Sequence, residues 1–173
     1  PVVSTVRLIG ASHELAAKGP SRLESEVIDG QVLSTWMAAP AWGLPGFSEF
    51  VDTNNETIVS NVRKNVQRLI ASGVPILAGT DSGVHGVFTG TSLHNELDHL
   101  VELGMTPVEA LAAATSIPGE FFGGEQSFGR IAPGYQADFM LVRGDPTVDI
   151  ADLHQICEVW LRGRRLERHA ISN

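Results

Sequence analysis

A chain of 173 residues with 43% hydrophobic and 18% charged residues has the composition of a globular protein. It has too much apolar material for disorder and no uninterrupted apolar run that could span a bilayer, so no membrane helix is expected. The formal net charge of −8 argues against a general nucleic-acid binder and favours a small or neutral partner. The single cysteine, Cys157, excludes an internal disulfide framework, fits a reducing cytoplasm, and reads as a small buried strand residue.

In chain order, Pro1 stands where an initiator methionine would be, and residues 2–9 (Val2, Val3, Ser4, Thr5, Val6, Arg7, Leu8, Ile9) read as a buried strand. A chain that opens inside a core strand is expected to be processed, split or truncated. A helix is expected over residues 23–36, followed by a loop marked by Pro40, Gly43, Pro45 and Gly46. Thr53 and Glu56 form a capping-box pattern, and Ile58, Val62, Val66, Leu69 and Ile70 share one helical face, which predicts a helix from Thr53 to a stop at Gly73. Residues 74–78 read as a short buried strand, and Gly79, Thr80, Asp81, Ser82 and Gly83 leave its C-terminal end.

Thr91 or Ser92 is positioned to cap a helix whose Leu93, Leu97, Leu100 and Val101 form an apolar stripe ending at Gly104. Thr106, Pro107 and Glu109 supply a cap, a first-position proline and a third-position glutamate for the next helix. From Gly129 the pattern turns to strands, over residues 137–142 and 156–161, with a last one near 164–167. The fold class is therefore α/β, with an α/β part over residues 1–128 and a small β part over 129–173.

In a parallel α/β barrel the reactive groups sit at the strand ends that face the βα loops, and Asp81 occupies that position. A carboxylate just past a buried strand needs a cation or hydrogen-bond donors, and beside a divalent ion it can both hold the metal and take a proton from the activated water. The alternative is that Asp81 caps the following turn.

Three segments together resemble the amidohydrolase superfamily: residues 79–82 (Gly-Thr-Asp-Ser), the run from Leu93, His94, Asn95, Glu96 and Leu97 to Thr115, and the passage from Gly129 through Pro133, Gly134 and Asp138 to Gly144, Asp145 and Pro146. The ordered series covers residues 74–167 and is closest to the branch of imidazolonepropionases and prolidase-like enzymes. The resemblance implies the C-terminal portion of a TIM-type (β/α)8 barrel, its last two strand-helix units, followed by part of a small β-sandwich. It implies a hydrolase of amide, cyclic amide or dipeptide C–N bonds, acting through water bound to one or two divalent ions, zinc first among them. Asp81 matches the last-strand aspartate, a metal ligand that also handles the proton. The family's remaining ligands, which are histidines of the first strand, a lysine or glutamate of a middle strand and histidines of the next two, are expected upstream of Pro1. With residues 2–9 as the seventh strand, the first six are absent. The isolated chain is then expected to be inactive, and its open strand edges to require an upstream segment of the same enzyme or self-association.

The other candidates carry two readings each. His85 and His94 are possible companions of Asp81 at a metal, His85 is also a candidate substrate contact, and His94 otherwise belongs to the framework. Arg7 on the first strand is a candidate for a substrate carboxylate, or else is paired within the barrel. His13 and Glu14 begin a zinc-protease pattern that Ala17 breaks. The basic residues Arg162, Arg164, Arg165 and Arg168 read as a solvated strand end. Gly83, Gly86 and Gly90 before a helix suggest the competing class, a non-catalytic anion- or nucleotide-binding module, although their spacing matches no phosphate-loop motif.

Overall fold

In the computed structural model, which describes residues 1–6, 11, 15, 18–38, 47–123 and 127–167, and side chains for these except 47–55, the described part of the opening apolar run forms a strand over Val2–Ser4 (β1). Val6 is already helical, as are Ala11, Leu15 and Lys18. The strand stops here because the ladder runs out. Ser4 lies opposite Ala78 at the end of β2 (Ile76–Ala78), the Gly79 N–H closes the pairing on the Ser4 carbonyl at 2.8 Å, and the Val6 N–H turns to a side chain, Glu96, instead. Val2 and Val3 are 40% and 59% exposed rather than buried, since among the described residues β1 pairs only with β2.

The expected helix over residues 23–36 is two helices, α1 (Arg22–Val27) and α2 (Gly30–Ala38). Ser21 and Glu24 form a capping box on α1, and the extended backbone of Ile28 breaks the run. The Asp29 carboxylate then accepts from the Gln31 N–H at 2.8 Å and restarts it.

Helix α3 spans Phe47–Ala71, so Thr53 lies in its interior and not at its start. A capping residue starts a helix only where the preceding backbone turns away. No glycine or proline interrupts residues 47–52, and threonine or asparagine inside a helix costs only about 0.5 kcal/mol each relative to alanine. Its C-terminus follows expectation: Gly73, at φ 69°, donates to Ile70 at 2.9 Å while Val74 donates to Leu69 at 3.1 Å.

Strands β1 and β2 run parallel, with Val2, Val3 and Ser4 opposite Ile76, Leu77 and Ala78, and a helical connection between them. Glycine is required immediately after β2, because a Cβ on Gly79 would sit 2.8 Å from Val3 Cγ1 and 3.2 Å from the Ser4 carbonyl. Helix α4 (Thr91–Glu102) has Gly90 at its N-cap with no side-chain cap, so neither Thr91 nor Ser92 serves as one; the Ser92 hydroxyl accepts the Phe88 N–H at 2.8 Å. Helix α5 (Pro107–Ala114) carries the expected Thr106–Glu109 box, and a short α6 (Ser116–Phe122), not anticipated, follows.

The C-terminal part is an antiparallel sheet of β3 (Phe139–Val142), β4 (Ile156–Leu161) and β5 (Arg164–Arg165), with Phe139 stacked on Trp160 at 5.5 Å. Cys157 is exposed on β4, not buried. A 3-10 helix (Ile150–His154) sends Ile150 and Leu153 into the same core as Ile76, Leu97, Leu100, Leu103, Ala110 and Ala113. Each leucine fully withdrawn from water here, such as Leu100, contributes about 1.5–3 kcal/mol. Among the described residues no helix is long and apolar enough to cross a membrane.

Candidate active site

The parallel β1–β2 pair delivers its C-terminal ends to one place, and the chain leaves β2 there through Gly79 and Thr80 into Asp81. Asp81 adopts a left-handed φ of 53°, uncommon for a residue with a side chain. Its side chain is exposed rather than in a dry setting, and among the described residues it takes no hydrogen bond, so it does not cap the turn that follows. The loop is shaped instead by backbone: Ser82 bridges Val84, the Gly83 N–H reaches the Val87 carbonyl at 3.3 Å, and the Val87 N–H reaches the Val84 carbonyl at 3.0 Å.

His85, four residues on, is taken up by α2. Its Nε2 lies 2.5 Å from the Trp36 carbonyl oxygen, and its ring stacks on the Trp36 ring at 5.6 Å and 11°. A carbonyl only accepts, so Nε2 carries the proton and donates, which removes that nitrogen as a metal ligand or base.

His94 is likewise taken up by another element. On α4 it faces His154 of the 3-10 helix, ring centroids 5.4 Å apart, and His154 Nε2 is 2.7 Å from Asp98 Oδ2. Burial, reinforced by neighbouring His154, holds the His94 pKa below its ordinary value, whereas the hydrogen bond to Asp98 raises that of His154 despite partial burial. His94 Nδ1 and Asp98 Oδ1 are buried without a partner among the described residues. Asp81, His85 and His94 therefore do not converge, and among the described residues no three His, Cys, Asp or Glu side chains form a group able to hold a metal ion. One exposed carboxylate does not by itself fit a divalent ion, which takes three or four protein donors.

One polar residue absent from the sequence-based expectations organises this end of the sheet. Glu96 is fully buried, and its Oε1 accepts the Ser4 hydroxyl at 2.6 Å and the Val6 N–H at 3.1 Å, tying α4 to the end of β1. Its signal is the spacing Ser92, Glu96, Leu100, which puts the carboxylate on the buried stripe of α4. Arg7, His13, Glu14, Ala17 and Arg168 lie outside the described residues. Arg165 pairs with Glu158 at 3.1 Å, as a solvated strand end would. A cavity of about 410 Å³ opens between α1 and the start of β4, lined by Arg22, Arg143, His154 and Cys157 among others, with no contribution from the Asp81 loop.

The N-terminus of α4 is a poor anion site, since the Ser92 and Leu93 N–H groups are already bonded to the carbonyls of Phe88 and Gly90.

Residues 41–166 match the amidohydrolase family. The chain is 30% identical over 105 residues to imidazolonepropionase of Streptomyces avermitilis, covering 59% of this chain and 25% of that protein. It is 35% identical over 106 residues to ochratoxinase of Aspergillus niger, covering 58% of this chain and 21% of that protein. It shares its fold with a Xaa-Pro dipeptidase solved with bound methionine in its active site, at a TM-score of 0.64 and 24% identity over 96% of this chain and 34% of that one. The chain thus spans a quarter or less of the length of these two curated relatives and about a third of the dipeptidase chain. With the family match running through the strand-end aspartate loop, α4, α5 and the C-terminal sheet, this chain belongs to the amidohydrolase family.

Proposed function

We propose that this chain is a portion of a hydrolase of C–N bonds in amides, cyclic amides or dipeptides, to which it contributes Asp81 as a proton-handling carboxylate. The observation that carries this reading is the place of Asp81: an exposed carboxylate with no hydrogen bond among the described residues, at the C-terminal end of a parallel strand in a chain of this family. A carboxylate so placed can accept a proton from an attacking water and return it to the departing nitrogen. A divalent ion, zinc foremost, would be held by Asp81 together with donors from outside the described residues, and would supply Lewis acidity at this end of the sheet.

In the same reading β1 and β2 are the last two strands of a (β/α)8 barrel, residues 1–128 belong to that barrel, and residues 129–173 to a small β-sandwich. The parallel pairing of β1 with β2 across a helical connection supports the first part, and the antiparallel β3–β4–β5 sheet the second. An upstream segment of the same enzyme, or a second copy, covers the exposed Val2 and Val3. The substrate is a small molecule, and the exposed thiol of Cys157 suits a reducing cytoplasm.

The test is Asp81→Asn in the complete enzyme, assayed on a panel of N-acyl amino acids, Xaa-Pro dipeptides and cyclic amides. The kcat is expected to fall by about 10²–10⁴-fold with the fold intact by circular dichroism. Turnover within about threefold of the parent enzyme on its best substrate would overturn the assignment.

A further inference from the structure

The Asp81 loop is held from one side by an element far away in sequence. His85 donates from Nε2 to the Trp36 carbonyl at 2.5 Å, its ring lies almost parallel on Trp36, and Trp36 in turn stacks on Phe88 at 4.9 Å and 29°. Phe88 is buried with Leu15 and Leu33, and Trp36 and Ile28 pack against that cluster. The loop thus has two anchors flanking its turn. Phe88 fixes the end that enters α4, helped by the Ser92 hydroxyl on its N–H, and His85 fixes the middle. Asp81 stands between the end of β2 and these anchors, in a left-handed conformation that an unsupported aspartate would readily leave.

We propose that α2 sets the position of Asp81 through this aromatic clasp, with His85 as a positioning residue rather than a group that takes substrate. The importance of Asp81 rests on the hydrolase reading, whereas the clasp itself does not. Because the interaction uses a backbone carbonyl and a stacked ring pair, it orients the loop along two axes, as one hydrogen bond alone would not. The element responsible, Gly30–Ala38, then decides how the carboxylate faces whatever binds above β2.

The experiment uses the 173-residue chain, without substrate or metal, and reads amide hydrogen exchange by NMR together with the carboxyl ¹³C resonance of Asp81. In His85→Ala, the amides of Gly83 and Val87 are expected to exchange about tenfold faster or more, and the Asp81 resonance to move, while Leu103 and Ala110 stay within about twofold. Trp36→Ala, which removes the stacked ring and leaves the carbonyl, and His85→Gln, which keeps an N–H donor and loses the ring, should each give a smaller loss of protection at the same amides. Loop exchange unchanged in both alanine variants would overturn the proposal. So would a uniform loss of protection in both, because the contact would then serve global stability and not the loop. Failure of the Asp81→Asn assay with this pattern intact would remove the hydrolase reading and leave the clasp; the reverse outcome would remove the clasp alone.

Discussion

His154 and Asp98 meet across two elements, with side-chain exposures of 27% and 32%, and the pairing makes stability depend on pH. The hydrogen bond that His154 donates to Asp98, with the nearby charge of Glu24 acting in the same sense, raises the His154 pKa in the fold above its ordinary 6.5. The unfolded chain therefore holds the proton less tightly than the folded one. The stabilisation from this pair is fully present below pH 6.5 and is lost as pH rises through the folded value. His94 works in the opposite direction: burial lowers its pKa, so the fold holds its proton less tightly than the unfolded chain, and acidification costs stability as pH falls from 6.5 through its folded value. Asp98→Asn should lower the unfolding free energy by about 1–2 kcal/mol near pH 6, with the deficit shrinking above the folded His154 value. Urea unfolding at a series of pH values checks this, and a deficit independent of pH would contradict it. None of this was legible in the sequence, where His94 and His154 are 60 positions apart and His94 carried both a framework reading and that of a companion of Asp81. The Glu96–Ser4 bond, across 92 positions, was hidden for the same reason. Asp81 was legible in position, because a strand end and its next residues are neighbours along the chain.

Elements bounded by local chemistry were read well, and those bounded by packing were not. The start of α5 is set within four residues: the Thr106 hydroxyl accepts the Glu109 N–H at 3.3 Å, the Glu109 carboxylate accepts the Thr106 N–H at 2.8 Å, and Pro107 occupies the first turn. Removing that hydroxyl leaves one of the helix's first N–H groups to water alone. Thr106→Ala is expected to lower Tm by about 3 °C and Thr106→Ser by less than about 1 °C, measured by calorimetry. Against this, the similar Thr53–Glu56 pattern marks no helix start, because α3 continues through it from Phe47. The apolar run of residues 2–9 promised a longer strand than Val2–Ser4, and what ended it was the length of its partner β2. In the C-terminal sheet the span of β4, Ile156–Leu161, is the one its apolar, turn-bounded run predicts. The 3-10 helix before it carries no such pattern and is held by packing of Ile150 and Leu153 against α4 and α5.

Metal binding is a property of the whole molecule, since it needs donors from several elements at once. The described residues bring no three such donors together, and Asp81 alone should hold zinc weakly. Calorimetric titration of the 173-residue chain with Zn²⁺ is expected to give a dissociation constant weaker than about 10⁻⁴ M, with no hydrolysis of amide or dipeptide substrates. Submicromolar binding that Asp81→Asn leaves unchanged would place a metal site elsewhere in the chain. The sequence by itself determined the α/β class, the family, the caps at Gly73, Gly104 and Thr106, and the strand-end place of Asp81. Each of these depends on residues close together along the chain, where side-chain chemistry and backbone geometry act directly. Only the tertiary structure decided that Trp36 claims His85, that His94 meets His154, and that Glu96 is buried against Ser4 and Val6. Those contacts join residues tens of positions apart, and they exist because core packing fixes which faces of α2, α4 and the 3-10 helix meet, information that no local pattern carries.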